Sequence, residues 1–289
     1  MKILVIGNGF IAGAIVQRLE SEGHELLVFS RSAKSDINCK QIIGDIRNYD
    51  EFVRTLSWNP QVIIHTAWIT THDKYLEDFS NVAYADFTIK LATCVESMDV
   101  EHLIVLGTCA EYGSQKMAST AGVTSLNPKS LYAKQKVRAF KSTQEILGHS
   151  KCRLSWTRVF QPYGPGQDKK RLIPKLIDSI KSRQQINLMD TTSTLDWITT
   201  RDISSGISWI IRNPAPLELD LGTSFGYTNL ELLKRLEGLI GNSNQWERLA
   251  EQVSTGKQVS VVGKSSPLFK LGWQPNDSLE LGLKWVLRS

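Results

Sequence analysis

The opening stretch, Lys2-Ile3-Leu4-Val5-Ile6-Gly7-Asn8-Gly9-Phe10-Ile11-Ala12-Gly13, constrains the fold of this chain more than any other. The aliphatic run at 3–6 reads as a strand buried on both faces, as in a parallel sheet. Gly7 allows a sharp turn off that strand, and Gly9 leaves room for a phosphate to approach the backbone. Ala12, or Gly13 one step on, lets the following helix lie close to the strand. The free N–H groups at the start of such a helix attract a pyrophosphate. The pattern alone also fits an ordinary tight strand-to-helix turn. Here it follows a strand and precedes an amphipathic helix carrying Ile15, Val16 and Leu19, which favours dinucleotide binding.

Strands and helices then alternate. Residues 24–29 read as a second strand, 41–46 as a third and 49–56 as a helix. A fourth strand is expected at 61–66, a long helix at 73–98 and a fifth strand at 102–106. A helix follows from Pro128 and a strand at 153–160. The Pro- and Gly-rich stretch 161–166 is expected as a loop. Beyond it lie a helix at 172–182, a strand at 195–199, a helix at 202–212 and a strand at 217–221. A capping box at Thr228–Glu231 opens a helix to Gly241, and a last helix carries Leu279, Leu283, Trp285 and Val286. This alternation predicts an α/β fold: a doubly wound, parallel-sheet Rossmann domain with a smaller interleaved C-terminal lobe. The first domain is expected over 1–160, with 194–222 contributing, and the substrate lobe over 161–289.

Composition narrows the class of partner. The net charge of +5 is mild, and no basic block is longer than Lys169-Lys170-Arg171, so an anionic small molecule is favoured over nucleic acid. The four cysteines are scattered without a C-x-x-C pair, which fits a reducing compartment and argues against structural zinc; no metal is expected. No apolar run approaches ~18 residues, so no membrane partner is expected, and the first residues are too short for a signal-peptide core. A cytoplasmic protein is the expectation.

Several residues stand where ligands of such folds bind. After the second strand comes Ser30-Arg31 with no acid nearby. An acid there would hold the ribose hydroxyls of NAD, whereas an arginine accommodates the 2′-phosphate of NADP, so NADP is favoured, with NAD the alternative. Thr108 ends the fifth strand, where doubly wound folds place their ligands. Tyr132 and Lys136 are one helical turn apart and share a face. A second such pair, Tyr112 and Lys116, is interrupted by Gly113 and lies too close to Thr108 to converge on it. His65, ending a buried strand, reads as hydrogen-bonded scaffold.

Together these landmarks resemble the extended short-chain dehydrogenase/reductase family of nucleotide-sugar epimerases, dehydratases and reductases. The likeness rests on Gly7-Asn8-Gly9-Phe10-Ile11, Gly44-Asp45-Ile46, His65-Thr66-Ala67, Gly107-Thr108 with Tyr112-Gly113, Tyr132-x-x-x-Lys136 and Arg158-Val159-Phe160. Tyr163-Gly164-Pro165-Gly166-Gln167, Asp196-Trp197-Ile198 and Leu271-Gly272-Trp273-Gln274-Pro275 continue it. The resemblance implies Thr108, Tyr132 and Lys136 as the catalytic set. It implies a cofactor lying along Gly7, Asn8, Gly9, Phe10, Ile11, Ser30, Arg31, Asp45, Ile46, Thr66, Ala67 and Phe160, with Tyr132 and Lys136 on its ribose. Asp45 would hold the adenine amino group. A nucleotide sugar would meet Thr108, Cys109, Gln161, Arg171 and Arg201, and the chain would form a homodimer through its long helices.

The departures from the family pattern narrow the reaction. The family's glycine loop has a residue more between its first two glycines. Its dehydratases carry an Asp-Glu pair after the active-site threonine, where this chain has Cys109-Ala110, so dehydration is not expected. The epimerising cysteine of the GDP-fucose synthases falls at Ala110. The arginine that often precedes Asp196 is Leu195, leaving Arg201 or Arg171 to bind diphosphate, and Gln161 stands where an asparagine is common. Ser30-Arg31 suits a dissociable NADPH. The expected function is therefore NADPH-dependent reduction of a keto nucleotide sugar, an NDP-4-keto-6-deoxy sugar. An NDP-sugar 4-epimerase with retained NAD is the alternative, and a non-catalytic NADP-binding regulatory protein the third.

Overall fold

The structure, a computed structural model, describes residues 1–115, 117–188, 190–241, 244–251, 259–264 and 267–289. The chain runs through β1 (Lys2–Ile6), α1 (Phe10–Ser21), β2 (Glu25–Ser30), β3 (Lys40–Ile43), α2 (Tyr49–Leu56) and β4 (Val62–His65). It continues through α3 (Ser80–Glu96), β5 (His102–Thr108), α4 (Leu131–Leu147) and β6 (Arg153–Val159). The second half holds β7 (Gln161–Tyr163), α5 (Leu172–Lys181), β8 (Thr194–Thr199), α6 (Thr200–Arg212) and β9 (Glu218–Leu221). After these come β10 (Gly226–Thr228), α7 (Asn229–Ile240), α8 (Gln245–Ala250), β11 (Ser260–Val261), α9 (Pro267–Lys270) and α10 (Leu279–Arg288).

Seven strands form a parallel sheet in the order β3-β2-β1-β4-β5-β6-β9. Apolar side chains alternate across it with the period of a strand. Leu4, Ile6, Leu27 and Leu103 pack on Phe52, Phe87 and Leu91 on one face. Ile3, Val5, Val28 and Ile104 pack on Ile15, Leu19, Ile203 and Ile207 on the other. Strand order reverses at β1 and β4, so the crevice that doubly wound folds use for ligands opens at the C-terminal ends of those two strands. β1 ends in the glycine turn and β4 in His65-Thr66-Ala67.

The smaller lobe is built on β8, which pairs antiparallel with β10. β11 pairs the first residues of β8 and β7 the last, both parallel. Between those two contacts sits Asp196, fully buried, whose carboxylate accepts the N–H groups of Thr223, Ser224 and Gly263 at 2.7, 3.0 and 3.2 Å. Leu176, Trp197, Leu232, Leu236 and Leu283 form the core of this lobe. Among the described residues no helix is long and apolar enough to cross a membrane.

The structure corrects several sequence expectations. The helix expected over 73–98 begins only at Ser80. Ahead of it the chain makes a series of turns, with Asp73 at φ 67°. Tertiary bonds claim this backbone: Leu76 O accepts the N–H of Tyr132 at 2.9 Å, and Asn81 Nδ2 donates to the carbonyls of Tyr75 and Asp78, both at 2.7 Å. The helix expected from Pro128 starts at Leu131, where the Ser130 hydroxyl caps it by accepting Ala133 N–H at 3.2 Å. The stretch expected as a loop at 161–166 begins as β7. Within 194–222, β8 goes to the small sheet and β9 to the large one. Strands β10 and β11 and helices α8 and α9 were not expected.

Candidate functional site

The glycine turn fits a bound anion. Gly7 has φ 105°, and a Cβ there would meet Thr66 Oγ1 at 2.6 Å, so only glycine is accommodated. Thr66 holds the turn from β4, its hydroxyl donating to Ile6 O at 2.8 Å and its N–H to the same carbonyl at 2.9 Å; Ala67 N–H joins them at 2.9 Å. At Gly9, by contrast, a Cβ would meet nothing within 4 Å. The first turn of α1, Phe10 and Ile11 included, carries no acid and no side-chain cap, leaving its N–H donors open. Asn8 Nδ2 donates to Ser32 O at 2.5 Å, tying the turn to the loop after β2, and the buried Ser30 hydroxyl donates to the same carbonyl at 2.9 Å.

After β3 an acid, Asp45, is paired with an arginine two residues on. Arg47 clamps Asp45, with Nη2 to Oδ2 at 2.5 Å and Nε to both carboxylate oxygens at 3.0 Å. That clamp leads the groups that hold the Asp45 carboxyl below its usual range, and the charge of Arg31, which is exposed, works the same way. Ile46 beside Asp45 is buried.

Tyr132 and Lys136 both lie against the Trp68 ring, and Thr108 ends the neighbouring β5. Thr108 is the neighbour whose side chain holds the Tyr132 phenol down against burial. Thr108 also caps a single 3-10 turn, Cys109–Tyr112, its hydroxyl accepting Ala110 N–H at 3.3 Å. Lys136 Nζ donates to Leu106 O at 2.6 Å and lies 3.8 Å from the centroid of the Trp68 ring. Tyr132 stands edge-on to Tyr75 and Trp68, with centroids 5.1 and 6.3 Å away. Burial pushes the Tyr132 phenol up. Burial pushes Lys136 down to about 7, opposed by the charge of Glu111. The pair therefore offers a protonated phenol beside a lysine poised near neutral pH.

Other expected residues lie at varying distances from this centre. Gln161 Nε2 reaches Cys109 Sγ at 4.0 Å, and burial leads the causes that push the Cys109 thiol up to about 12. Phe160 packs with Cys109 and Tyr112 in a small cluster. Arg171 bridges from the second lobe, donating to Thr70 O at 2.9 Å and lying 5.2 Å from the Tyr75 centroid. Arg201 is held elsewhere, by Asp277 at 2.8 Å and over Trp285 at 4.1 Å. His65 is scaffold: it is buried, with Nε2 2.9 Å from Thr88 Oγ1. Tyr112 donates to Asp220 at 2.7 Å rather than facing the centre; Lys116 lies outside the described residues.

Sequence reasoning missed Trp68 and Glu111. Trp68 reads as one more apolar residue after a strand. Glu111 carried a usable signal, because Thr108-x-x-Glu111 has capping-box spacing. Its carboxylate accepts the Thr108 N–H at 2.8 Å.

Residues 3–221 match the model of a family described as the NAD dependent epimerase/dehydratase family. The chain is similar to the dTDP-D-glucose 4,6-dehydratase of Bos taurus, 23% identical over 308 residues that cover 98% of this chain and 86% of that protein. It is likewise similar to the UDP-glucose 4-epimerase of Lactobacillus helveticus, 23% identical over 323 residues covering 99% and 97%. Among solved structures it is similar to the UDP-glucose 4-epimerase of Thermus thermophilus in complex with NAD, with a TM-score of 0.86, 20% identity and coverage of 100% and 98%. A match that runs from the first strand of the large sheet to its last places this protein in the NAD dependent epimerase/dehydratase family, among the extended short-chain dehydrogenase/reductases.

Proposed function

We propose that this chain is an NADPH-dependent reductase of a keto nucleotide sugar, an NDP-4-keto-6-deoxy sugar. The observation that carries this reading is Arg31, exposed just after β2 where no acid stands, with its charge acting on Asp45 after β3. An exposed arginine at that place suits a 2′-phosphate, and a cofactor that exchanges between turnovers suits net reduction. Cys109-Ala110 stand in place of the dehydratases' acid pair, and the carboxylate nearest Thr108, that of Glu111, is buried and taken up by the Thr108 N–H, Trp156 and Arg158.

In this reading Gly7, Asn8, Gly9 and the start of α1 hold the pyrophosphate, and Lys136 and Tyr132 the nicotinamide ribose. Bound NADPH supplies the hydride. Tyr132 gives its phenolic proton to the ketone oxygen, so carbonyl, hydride and proton become a secondary alcohol. Thr108 orients that oxygen through its hydroxyl, and the Lys136 ammonium stabilises the phenolate left behind. The first lobe thus carries the cofactor, and the second, with Gln161 and Arg171, the nucleotide sugar.

NADPH is expected to bind about 10-fold or more tighter than NADH, and Arg31→Ala to erase most of that difference, measured by fluorescence titration. Equal affinities in the parent protein would turn the assignment toward the 4-epimerase, a reading favoured by the NAD held in the similar Thermus thermophilus structure. Conversion of UDP-glucose to UDP-galactose without added cofactor is the direct test of that alternative. Gly9→Ala is expected to leave the melting temperature unchanged, because a methyl group there meets nothing. The same methyl would crowd the pyrophosphate and cost about 10-fold or more in NADPH affinity.

A further inference from the structure

Under the Thr108 turn lies a carboxylate that the proposed reaction does not touch. Glu111 is fully buried. Its Oε1 accepts the Thr108 N–H at 2.8 Å and its Oε2 the Nε–H of Arg158 at 2.7 Å, while the indole N–H of Trp156 lies 3.1 Å from both oxygens. Arg158 is as deeply buried and also reaches Glu218 Oε2 at 2.8 Å. The rings of Tyr112 and Phe140 flank it, each centroid 5.1 Å away. Two carboxylates share one guanidinium, so this cluster carries a negative charge beneath the reacting side chains. Burying it is costly. A cap for one short turn needs no such arrangement, since a glutamate at the surface does the same.

We propose that Glu111 is a positioning residue of the reaction. It fixes the Thr108 turn through that residue's N–H, and its carboxylate is the anion set two residues along the strand end from the Leu106 carbonyl that holds Lys136 Nζ. The catalytic half of this statement rests on the proton-donor reading above.

The groups facing the Tyr132–Lys136 pair come from several elements. β4 brings His65, neutral because burial pushes it down to about 3. The turn brings Cys109 and Glu111, and the 71–79 segment Tyr75. Behind Glu111 stand Arg158 from β6, and Glu218 and Asp220 from β9; Asp220, pushed up to about 7 chiefly by burial, is the weaker anion. Glu111 raises both Lys136 and Tyr132. Removing its charge therefore lowers both, and an alkaline limb set by either group moves to lower pH.

The test needs neither substrate nor cofactor. Lysine side chains labelled at Cε are titrated by NMR, with the Lys136 signal assigned from Lys136→Met. Glu111→Gln keeps the shape and an acceptor for the Thr108 N–H. It is expected to fold and to lower the Lys136 midpoint by about half a unit or more. In turnover the same variant is expected to lose about 10-fold or more in kcat with a smaller change in KM, and its alkaline limb to shift down. Glu111→Asp, which keeps the charge, is expected to leave the Lys136 midpoint in place. A folded Glu111→Gln with an unmoved Lys136 midpoint makes Glu111 a brace of the fold and overturns the proposal. Should Glu111→Gln not fold, Glu218→Gln removes the other carboxylate and is expected to move Lys136 the same way by less; no movement there overturns it equally. A parent enzyme that leaves every keto sugar untouched would sink the reductase reading while leaving the Lys136 titration to be read.

Discussion

Tyr132→Phe is expected to lose at least ~100-fold in turnover, the lower end for removing a positioned general acid, while NADPH binding falls little. The ring still stands against Tyr75 and Trp68, so only the hydroxyl is lost. Lys136→Met is expected to weaken both binding and turnover, because the ammonium serves ribose and phenolate together. Tyr112→Phe is the internal control. Its hydroxyl donates to the buried Asp220 at 2.7 Å, so its loss is expected to cost about 1–3 kcal/mol in stability with turnover per folded molecule preserved. Initial rates of NADPH consumption with a freshly generated 4-keto-6-deoxy sugar nucleotide, alongside urea unfolding, separate the two effects. An active Tyr132→Phe beside a dead Tyr112→Phe would put the proton donor on the wrong helix.

The second large effect is a weaker response to acid in a variant lacking two buried histidines. His65 and His102 are both pushed down to about 3, chiefly by burial, with Lys136 and Arg153 adding to it. Unfolded, each binds a proton near pH 6.5. Their contribution is complete above that value and is lost as pH falls from 6.5 toward 3, because only the unfolded chain takes up protons there. Between pH 7 and pH 5 each then forfeits about 2 kcal/mol. Asp220 acts in the opposite sense: raised to about 7, it takes up a proton in the folded state first and favours that state as pH falls. The comparison is therefore between variants and not between pH values alone. His65→Gln with His102→Gln is expected to narrow the stability difference between pH 7 and pH 5 by about 4 kcal/mol. Both glutamines can keep the bonds now made by Nε2 to Thr88 and Ser155, each at 2.9 Å. Urea unfolding at the two pH values measures it, and an unchanged difference would show that these histidines charge without cost.

What the sequence disclosed followed the strength of its periodic signals. β1, β2, β4 and β5 are near-continuous aliphatic runs, and such runs have few alternatives once a glycine turn follows the first. Tyr132 and Lys136 were legible because a helix puts residues four apart on one face. Segment 73–79 was not, since its mixture of charges and aromatics looks helical locally. Its conformation is decided by α4, which takes the Leu76 carbonyl, and by Asn81, which takes two more. β7, β10 and β11 span two or three residues each, too few for any period to register. The pairing of Arg201 was hidden for a different reason: its partners Asp277 and Trp285 arrive from the far end of the chain.

The path of the chain through its two sheets bears on how relatives of this kind can be recombined. From β6 it passes to the small sheet for β7 and β8, then returns to lay β9 beside β6. A chimera made by joining one protein's first 160 residues to another's remainder would take its outermost large-sheet strand from the foreign parent. Trp156, Thr157, Arg158 and Val159 would then face strangers in place of Glu218, Leu219, Asp220 and Leu221. Exchanging substrate lobes therefore requires two crossover points, with the α6–β9 stretch inherited from the parent that supplies β6.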